Sequence, residues 1–326
     1  MRTLFRSLSI FALLASIVST AAAEEVRLKA IGAHDTGHFV IKSFLSFIDL
    51  VNKEGKGVVH IEYLGGPEVI PPNEQGNAIR SGFVDIQHGP PSYYVGQVPG
   101  ADAVLGARMT PEEMRKNGAL AALDAHWRTR INAHLLAIPD TGSHYHIFMT
   151  AKPATAANGD PDLSGMKIRI SPSYRDVVQK YKGTGISMSA GDVYNALERN
   201  VIQGLGWPSI AVVDSDWHKF GKYRLDPGFL NGSWTIIMNQ DKWKSMPEPA
   251  RQLLTRLAAQ WEIKSREDMI KAVKAEDEEM RRNGMQSVLL SPEAGKRLMD
   301  FAADNVWKSL KKNDAALFEA LKGKAY

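Results

Sequence analysis

Apolar positions along this chain recur with two periods, and the order in which those periods alternate predicts the architecture. Residues 26–31 alternate weakly as a strand. A polar loop over 32–38 follows, and then residues 39–52 carry apolar side chains at 40, 41, 44, 45, 47, 48 and 51, a helical spacing. Residues 58–64 read as a second strand, 73–81 as a short helix stopped by Gly82, and 83–87 as a third strand. Thr110 and Pro111 suit a cap and a first helical position, and the helical pattern they open continues to about Arg130. Strands are expected at 134–138 and 145–149, after which the polar stretch 152–161, with its Pro, Gly and Ala, is expected to carry the chain into a second domain.

The second half repeats the alternation. A strand at 166–170, a helix-like segment, a short strand at 186–188 and a helix at 190–199 lead to an expected turn holding Gly204, Gly206, Trp207 and Pro208. Strand, helix, strand, helix at these lengths predicts a parallel sheet in each half. Residues 234–238 form an apolar strand suited to a return crossing. From Pro247 to about Arg282 runs one long helical stretch, with Leu253, Leu254, Leu257, Trp261, Met269, Ile270, Val273 and Met280 mostly on one stripe. At 1.5 Å per residue it reaches roughly 50 Å, long enough to lie along two domains. A strand at 287–290, a helix capped by Ser291 and a last helix near 314–321 close the chain.

Composition narrows the classes. The chain has 326 residues and no cysteine, which excludes disulfides, thiolate chemistry and cysteine–zinc sites. Arg2 and Arg6, a short apolar run over 8–18 and Ala21-Ala22-Ala23 make an export signal, expected to be cut after Ala23. Cleavage lowers Lys+Arg from 40 to 38 against 36 acids, so the mature chain is almost neutral. No basic cluster alternates with aromatics, so no nucleic-acid partner is expected.

In open α/β sheets the ligand lies beyond the carboxyl ends of the strands. Arg169, flanked by Ile168 and Ile170, and Trp207, set in a rigid Gly-Trp-Pro context, both fall at such ends. A planar guanidinium pairs bidentately with a carboxylate, and an aromatic ring suits a small-ligand pocket. From the residues alone, a solvated or locally paired arginine and a core tryptophan fit equally. Tyr93, Tyr94, Tyr145 and Trp234 lie on or near predicted strand ends, and together they point to a ligand with an apolar or aromatic part. His34 and His38 occupy the first ligand-side loop and His88 the third.

The stretch 162–208 resembles the extracytoplasmic solute receptors of tripartite ATP-independent periplasmic (TRAP) transporters, of the C4-dicarboxylate-receptor type. It reads Asp162-Leu163-Ser164-Gly165-Met166-Lys167-Ile168-Arg169, then Asp192-Val193-Tyr194-Asn195-Ala196-Leu197, then Asn200-Val201-Ile202-Gln203-Gly204. Asp192 stands where the family has glutamate, and Gln203 where it has aspartate before the turn glycine. The resemblance implies a two-lobed α/β binding protein with a hinge, crossing strands and a long helix over both lobes. The expected divisions are residues 1–23 as signal peptide, 24–150 as the first lobe and 151–232 as the second. Residues 233–326 would supply the return strand, the long helix and the C-terminal helices. It further implies a periplasmic location, a small carboxylate ligand gripped by Arg169, delivery to integral-membrane TRAP permease subunits, and no cofactor. His146 falls where the family commonly has a second pocket cation, which argues against a dicarboxylate. Glu74 falls where some receptors place a polar contact. Gly206, Pro208 and Ser209 around Trp207 offer no acidic residue for the metal bridge some members use, so no metal is expected.

Two other functions fit the same residues. One is a receptor for a sensor system, which would share fold and ligand. The other is a secreted metalloenzyme built on His144 and His146 with His34, His38 and His88. It lacks both an H-E-x-x-H helix and an evident carboxylate ligand.

Overall fold

The computed structural model describes residues 24–325, so the expected signal peptide lies outside the described residues. Two sheets organise the chain. The first has the order Val59–Gly65, Val26–Gly32, Ile86–Gly89, Thr235–Asn239, Ala133–Ala137. Its first three strands run parallel, and Thr235–Asn239 inserts antiparallel to both neighbours. The second has the order Gln286–Leu289, Tyr223–Asp226, Ser143–Met149, Gly204–Pro208, Lys167–Ile170, Thr184–Ser187, with Asn231–Gly232 attached to the start of Ser143–Met149. Here Lys167–Ile170 is parallel to both neighbours, whereas Ser143–Met149 is antiparallel to the strands on either side of it. Both sheets are therefore mixed, not parallel throughout. In each, the strand that breaks the rule is the one that follows a crossing and so enters from the opposite direction.

Ser143–Met149 lies in the second sheet, although it was expected on the first-lobe side of a boundary at 150. The chain crosses earlier, between Ala137 and Ser143, where Asp140 (φ 57°) and Gly142 (φ 109°) reverse the backbone. The Pro- and Gly-containing stretch that suggested a linker is instead a small surface hairpin, Ala154–Thr155 against Pro161–Asp162. The return crossing lies between Gly232 and Thr235.

Local chemistry explains several element ends. Thr110 and Glu113 form a reciprocal cap: the Glu113 amide donates to the Thr110 hydroxyl at 3.3 Å, and the Thr110 amide donates to the Glu113 carboxylate at 2.7 Å. The helix they start does not reach Arg130 unbroken, because Gly118 (φ 83°) splits it into Pro111–Asn117 and Ala119–Ile131. The expected turn at 204–208 is a strand. Its glycines mark close approaches, not a reversal. A Cβ on Gly206 would stand 2.3 Å from Cε2 of Tyr174, and one on Gly204 would stand 2.5 Å from the Phe148 carbonyl oxygen.

One helix of 35 residues, Glu248–Arg282, runs past both sheets. Ala250, Leu254, Leu257 and Ala258 pack with Ile61, Ile86, Leu136 and Ile236 of the first lobe. Midway, Met269 meets Val40, Ile210 and Trp234. Near the end, Met280 packs with Phe148, Leu205 and Trp217 of the second. Polar ties follow the same course. Buried Glu262 accepts from Arg115 Nε at 2.5 Å and Nη2 at 3.0 Å and from the Ile138 amide at 2.7 Å, while Glu276 accepts from the Val213 amide at 2.7 Å and Asp277 pairs with Arg224. Helix Pro292–Asn313 packs on the segment Ala101–Gly106, where Trp307 donates to the Gly106 carbonyl at 3.0 Å, and on helix Arg175–Lys180 of the other lobe. Among the described residues no helix is long and apolar enough to cross a membrane.

Candidate functional site

Arg169 sits third in the strand Lys167–Ile170, where only Lys167 is exposed. Its side chain is 2% exposed. Nε donates to the Met188 carbonyl at 3.3 Å, and Nη1 donates to the Tyr174 hydroxyl at 3.0 Å and to the Gly206 carbonyl at 3.3 Å. The Tyr174 hydroxyl itself donates to Gly206 at 2.6 Å. The guanidinium carbon lies 5.0 Å from the centroid of the Trp207 ring. All of these partners are neutral, and among the described residues no carboxylate pairs with Arg169. Burial opposes its charge, but the phenols of Tyr174, Tyr93 and Tyr145 outweigh that effect, so the group stays charged.

Arg169 lies at the inner end of a cavity of about 660 Å³ between the lobes. The first lobe contributes Ala33, His34, Asp35, Asn73, Ser92 and Tyr93, and the second contributes Arg169, Ser171, Pro172, Met188 and Ser189. Arg169 also lines a recess of about 10 Å³, the size of a single water, together with Tyr145, Ser171, Trp207 and Trp234 among others. Two buried polar atoms of that lining, Ser171 Oγ and Trp234 Nε1, have no protein partner. A buried donor without a partner is costly, and a ligand oxygen would relieve it.

His34 is buried and stacks on His38 with centroids 4.5 Å apart, its ring edge-on to Trp207 at 5.9 Å and to Tyr93 at 6.1 Å. Burial, followed by repulsion from His38, His88 and Arg169, holds the His34 imidazole well below its usual range. Burial and then His88 and Lys42 push His38 down to about 3. Both rings are therefore neutral at neutral pH, and Arg169 is the one positive group among the cavity's lining residues.

The structure brings together Arg169, Tyr93 and His34 on the main cavity, and Trp207 and Trp234 on the recess. Four other candidates lie elsewhere. His146 Nδ1 is 3.0 Å from both the Leu225 carbonyl and Asp226 Oδ1, so it is committed to a neighbouring strand of its own sheet. His88 Nε2 is 3.2 Å from Asp140 Oδ2, and its ring stacks on Phe44 at 4.8 Å, which ties the third strand to the crossing. Tyr94 packs edge-on against Trp127 at 5.3 Å in the core. Glu74 is exposed at the start of helix Gln75–Ser81 and away from the cavity lining; its neighbour Gln75 is buried, donating to the Gly32 and Ile70 carbonyls.

Sequence reasoning passed over Tyr174, Ser171, Ser92 and Met188. Ser171 carried a readable signal: two residues beyond Arg169 in extended backbone, it projects to the same face. Met188 and Tyr174 gave none, because their role depends on how a neighbouring strand and a one-turn helix fold back over Arg169. Among the described residues no three His, Asp or Glu side chains converge as a metal site.

Residues 32–313 match the model of the family described as bacterial extracellular solute-binding protein, family 7. A protein of Albidiferax ferrireducens described as a solute-binding protein is 23% identical over 295 residues, covering 85% of this chain and 83% of that protein. Among solved structures, a Bordetella pertussis extracytoplasmic solute receptor binding pyroglutamic acid superposes with a TM-score of 0.76 at 18% identity, covering 91% of this chain and 99% of that one. A TRAP periplasmic solute-binding protein of Desulfovibrio salexigens with bound orotic acid gives 0.80 at 15% identity, covering 91% and 97%. One from Pseudomonas putida with bound D-glucuronate gives 0.75 at 19%, again covering 91% and 97%. The two-lobed α/β fold with its long spanning helix is thus that of the TRAP receptors, and the chain belongs to bacterial extracellular solute-binding protein family 7.

Proposed function

We propose that this protein captures a small organic acid between its lobes in the periplasm and delivers it to the membrane subunits of a TRAP permease, without transforming it. The observation that carries this reading is Arg169, a buried guanidinium with neutral partners only, open to an interlobe cavity. A buried charge is costly unless paired, and a ligand carboxylate is the partner the lining lacks. The Trp207 ring packs on the guanidinium, and Ser171, which lines the cavity with Arg169, offers a further donor for a carboxylate oxygen. The acids named for the related structures, pyroglutamic acid, orotic acid and glucuronate, each carry one carboxylate. Because both lobes line the cavity, the ligand makes its full contacts only when they are shut, and so it favours the closed state. Residues 1–23 would direct export and be removed.

A thermal-shift screen over aliphatic and aromatic acids identifies the ligand class, since a ligand of the folded state must raise the midpoint. Calorimetry on Arg169→Gln then tests the site, with an expected affinity loss of about 100-fold. Unchanged affinity would overturn the reading.

A further inference from the structure

The receptor reading leaves open which acid is bound, and the charges around the cavity narrow it. Resting on that reading, we infer that the cavity takes an acid with a single negative charge, an apolar body and a neutral or cationic far end, and that it discriminates against dicarboxylates. Of the lining residues only two are charged, Arg169 and Asp35, and they differ in depth: Arg169 is buried whereas Asp35 is exposed at the mouth. Between them the wall is largely apolar, with Pro67, Pro72, Val95, Ile170, Pro172 and Met188, and its polar members are neutral serines and Asn73. Among the described residues no second cation lines the cavity to meet a second carboxylate.

The mouth is not merely uncharged. Glu68, folded back so that its carboxylate accepts from the Gly66 amide at 2.6 Å, adds a second negative charge behind Pro67. Burial, and then the Glu68 and Asp35 charges, push the Tyr63 hydroxyl up to about 12, which places both carboxylates within electrostatic reach of the same side chain. A ligand whose carboxylate reaches Arg169 therefore presents its other end to Asp35. A second carboxylate there would meet like charge and no cation to pair with, whereas an ammonium or a hydrogen-bond donor would find a carboxylate partner. The volume, about 660 Å³, also suits a body much larger than a four-carbon diacid.

The test is calorimetry on the full mature chain with two matched series, in which only the far end changes. One is hexanoate, 6-aminohexanoate and adipate; the other is 4-methylbenzoate, 4-(aminomethyl)benzoate and terephthalate. The expected result is that in at least one series the monoanion or the zwitterion binds at least about tenfold tighter than the diacid, and that Asp35→Asn narrows this gap and removes any advantage of the zwitterion. Equal or tighter binding of the diacids overturns the inference, as do ratios unmoved by Asp35→Asn. No measurable binding in either series also counts against it, because the recognition described asks for nothing beyond charge and an apolar body. If diacids bind best and still need Arg169, this inference fails while the receptor reading stands. Binding indifferent to Arg169→Gln overturns both.

Discussion

Replacing Arg169 with methionine should remove binding while leaving stability nearly unchanged. A side chain of similar length keeps the packing while removing a charge that no carboxylate balances. Exchanging buried ionic groups for apolar ones of similar size is often neutral or stabilising by about 1–4 kcal/mol. Against this stand two losses. The Met188 carbonyl loses its donor, a cost of about 1 kcal/mol. The contact with the Trp207 ring is also lost, about another 1 kcal/mol. The Gly206 carbonyl still accepts from Tyr174, so it adds nothing to the cost. These contributions sum to between about −2 and +2 kcal/mol for the ligand-free protein, a Tm within about 4 °C of wild type for a chain of this size. With wild type, an acid at 100 times its Kd should add about 2.7 kcal/mol; with the variant, weakened about 100-fold, the same concentration should add less than about 0.5 kcal/mol. Urea and thermal unfolding with and without the acid read both numbers. If the variant loses more than about 2 kcal/mol on its own and still responds to the acid, Arg169 is a structural residue and the site lies elsewhere.

Three further outcomes follow from the geometry. Gly206→Ala places a Cβ 2.3 Å from the Tyr174 ring and should displace both Tyr174 and the guanidinium it supports, costing about 1–3 kcal/mol and weakening acid binding; a wild-type Tm and affinity would refute the packing described. Arg115→Ala leaves Glu262 buried without its partner and should destabilise by about 3–5 kcal/mol in denaturant unfolding, whereas a change below 1 kcal/mol would mean the tie contributes little. His34 and His38 are held neutral in the fold, so the unfolded chain takes up protons first as pH falls. Their contribution is full above pH 6.5 and is lost as pH drops from 6.5 towards about 3, the value to which burial and His88 push His38. Urea midpoints measured across that window should decline, and less steeply in the His34→Gln, His38→Gln double variant.

Much of the fold was legible because its cues are local. The Thr110 cap, the Gly82 stop, the spacing in Phe39–Glu54 and the uninterrupted stripe of Glu248–Arg282 all act within a turn or two of the residues that encode them. That Arg169 would be buried at an interlobe cavity was legible only through the motif 162–169, because an arginine between two isoleucines fits a solvated or locally paired position equally well. The misreadings share a different cause. Gly204 and Gly206 looked like turn residues because the ring and carbonyl that exclude a Cβ come from Tyr174 and Phe148, distant in the chain. His146 looked free for a ligand because its partner Asp226 arrives on another strand. The crossing was misplaced because a Pro- and Gly-containing stretch marks any surface reversal, and only pairing partners tell a linker from a hairpin.

The long helix constrains how the cleft can breathe. Past Pro249 it contains neither proline nor glycine, so it has no weak joint, and it is fastened at one end through Glu262 and Leu254 and at the other through Glu276, Asp277 and Met280. A rod tied to both sheets resists one lobe sliding past the other. If the lobes part, the rod has to bend or one of those ties has to break.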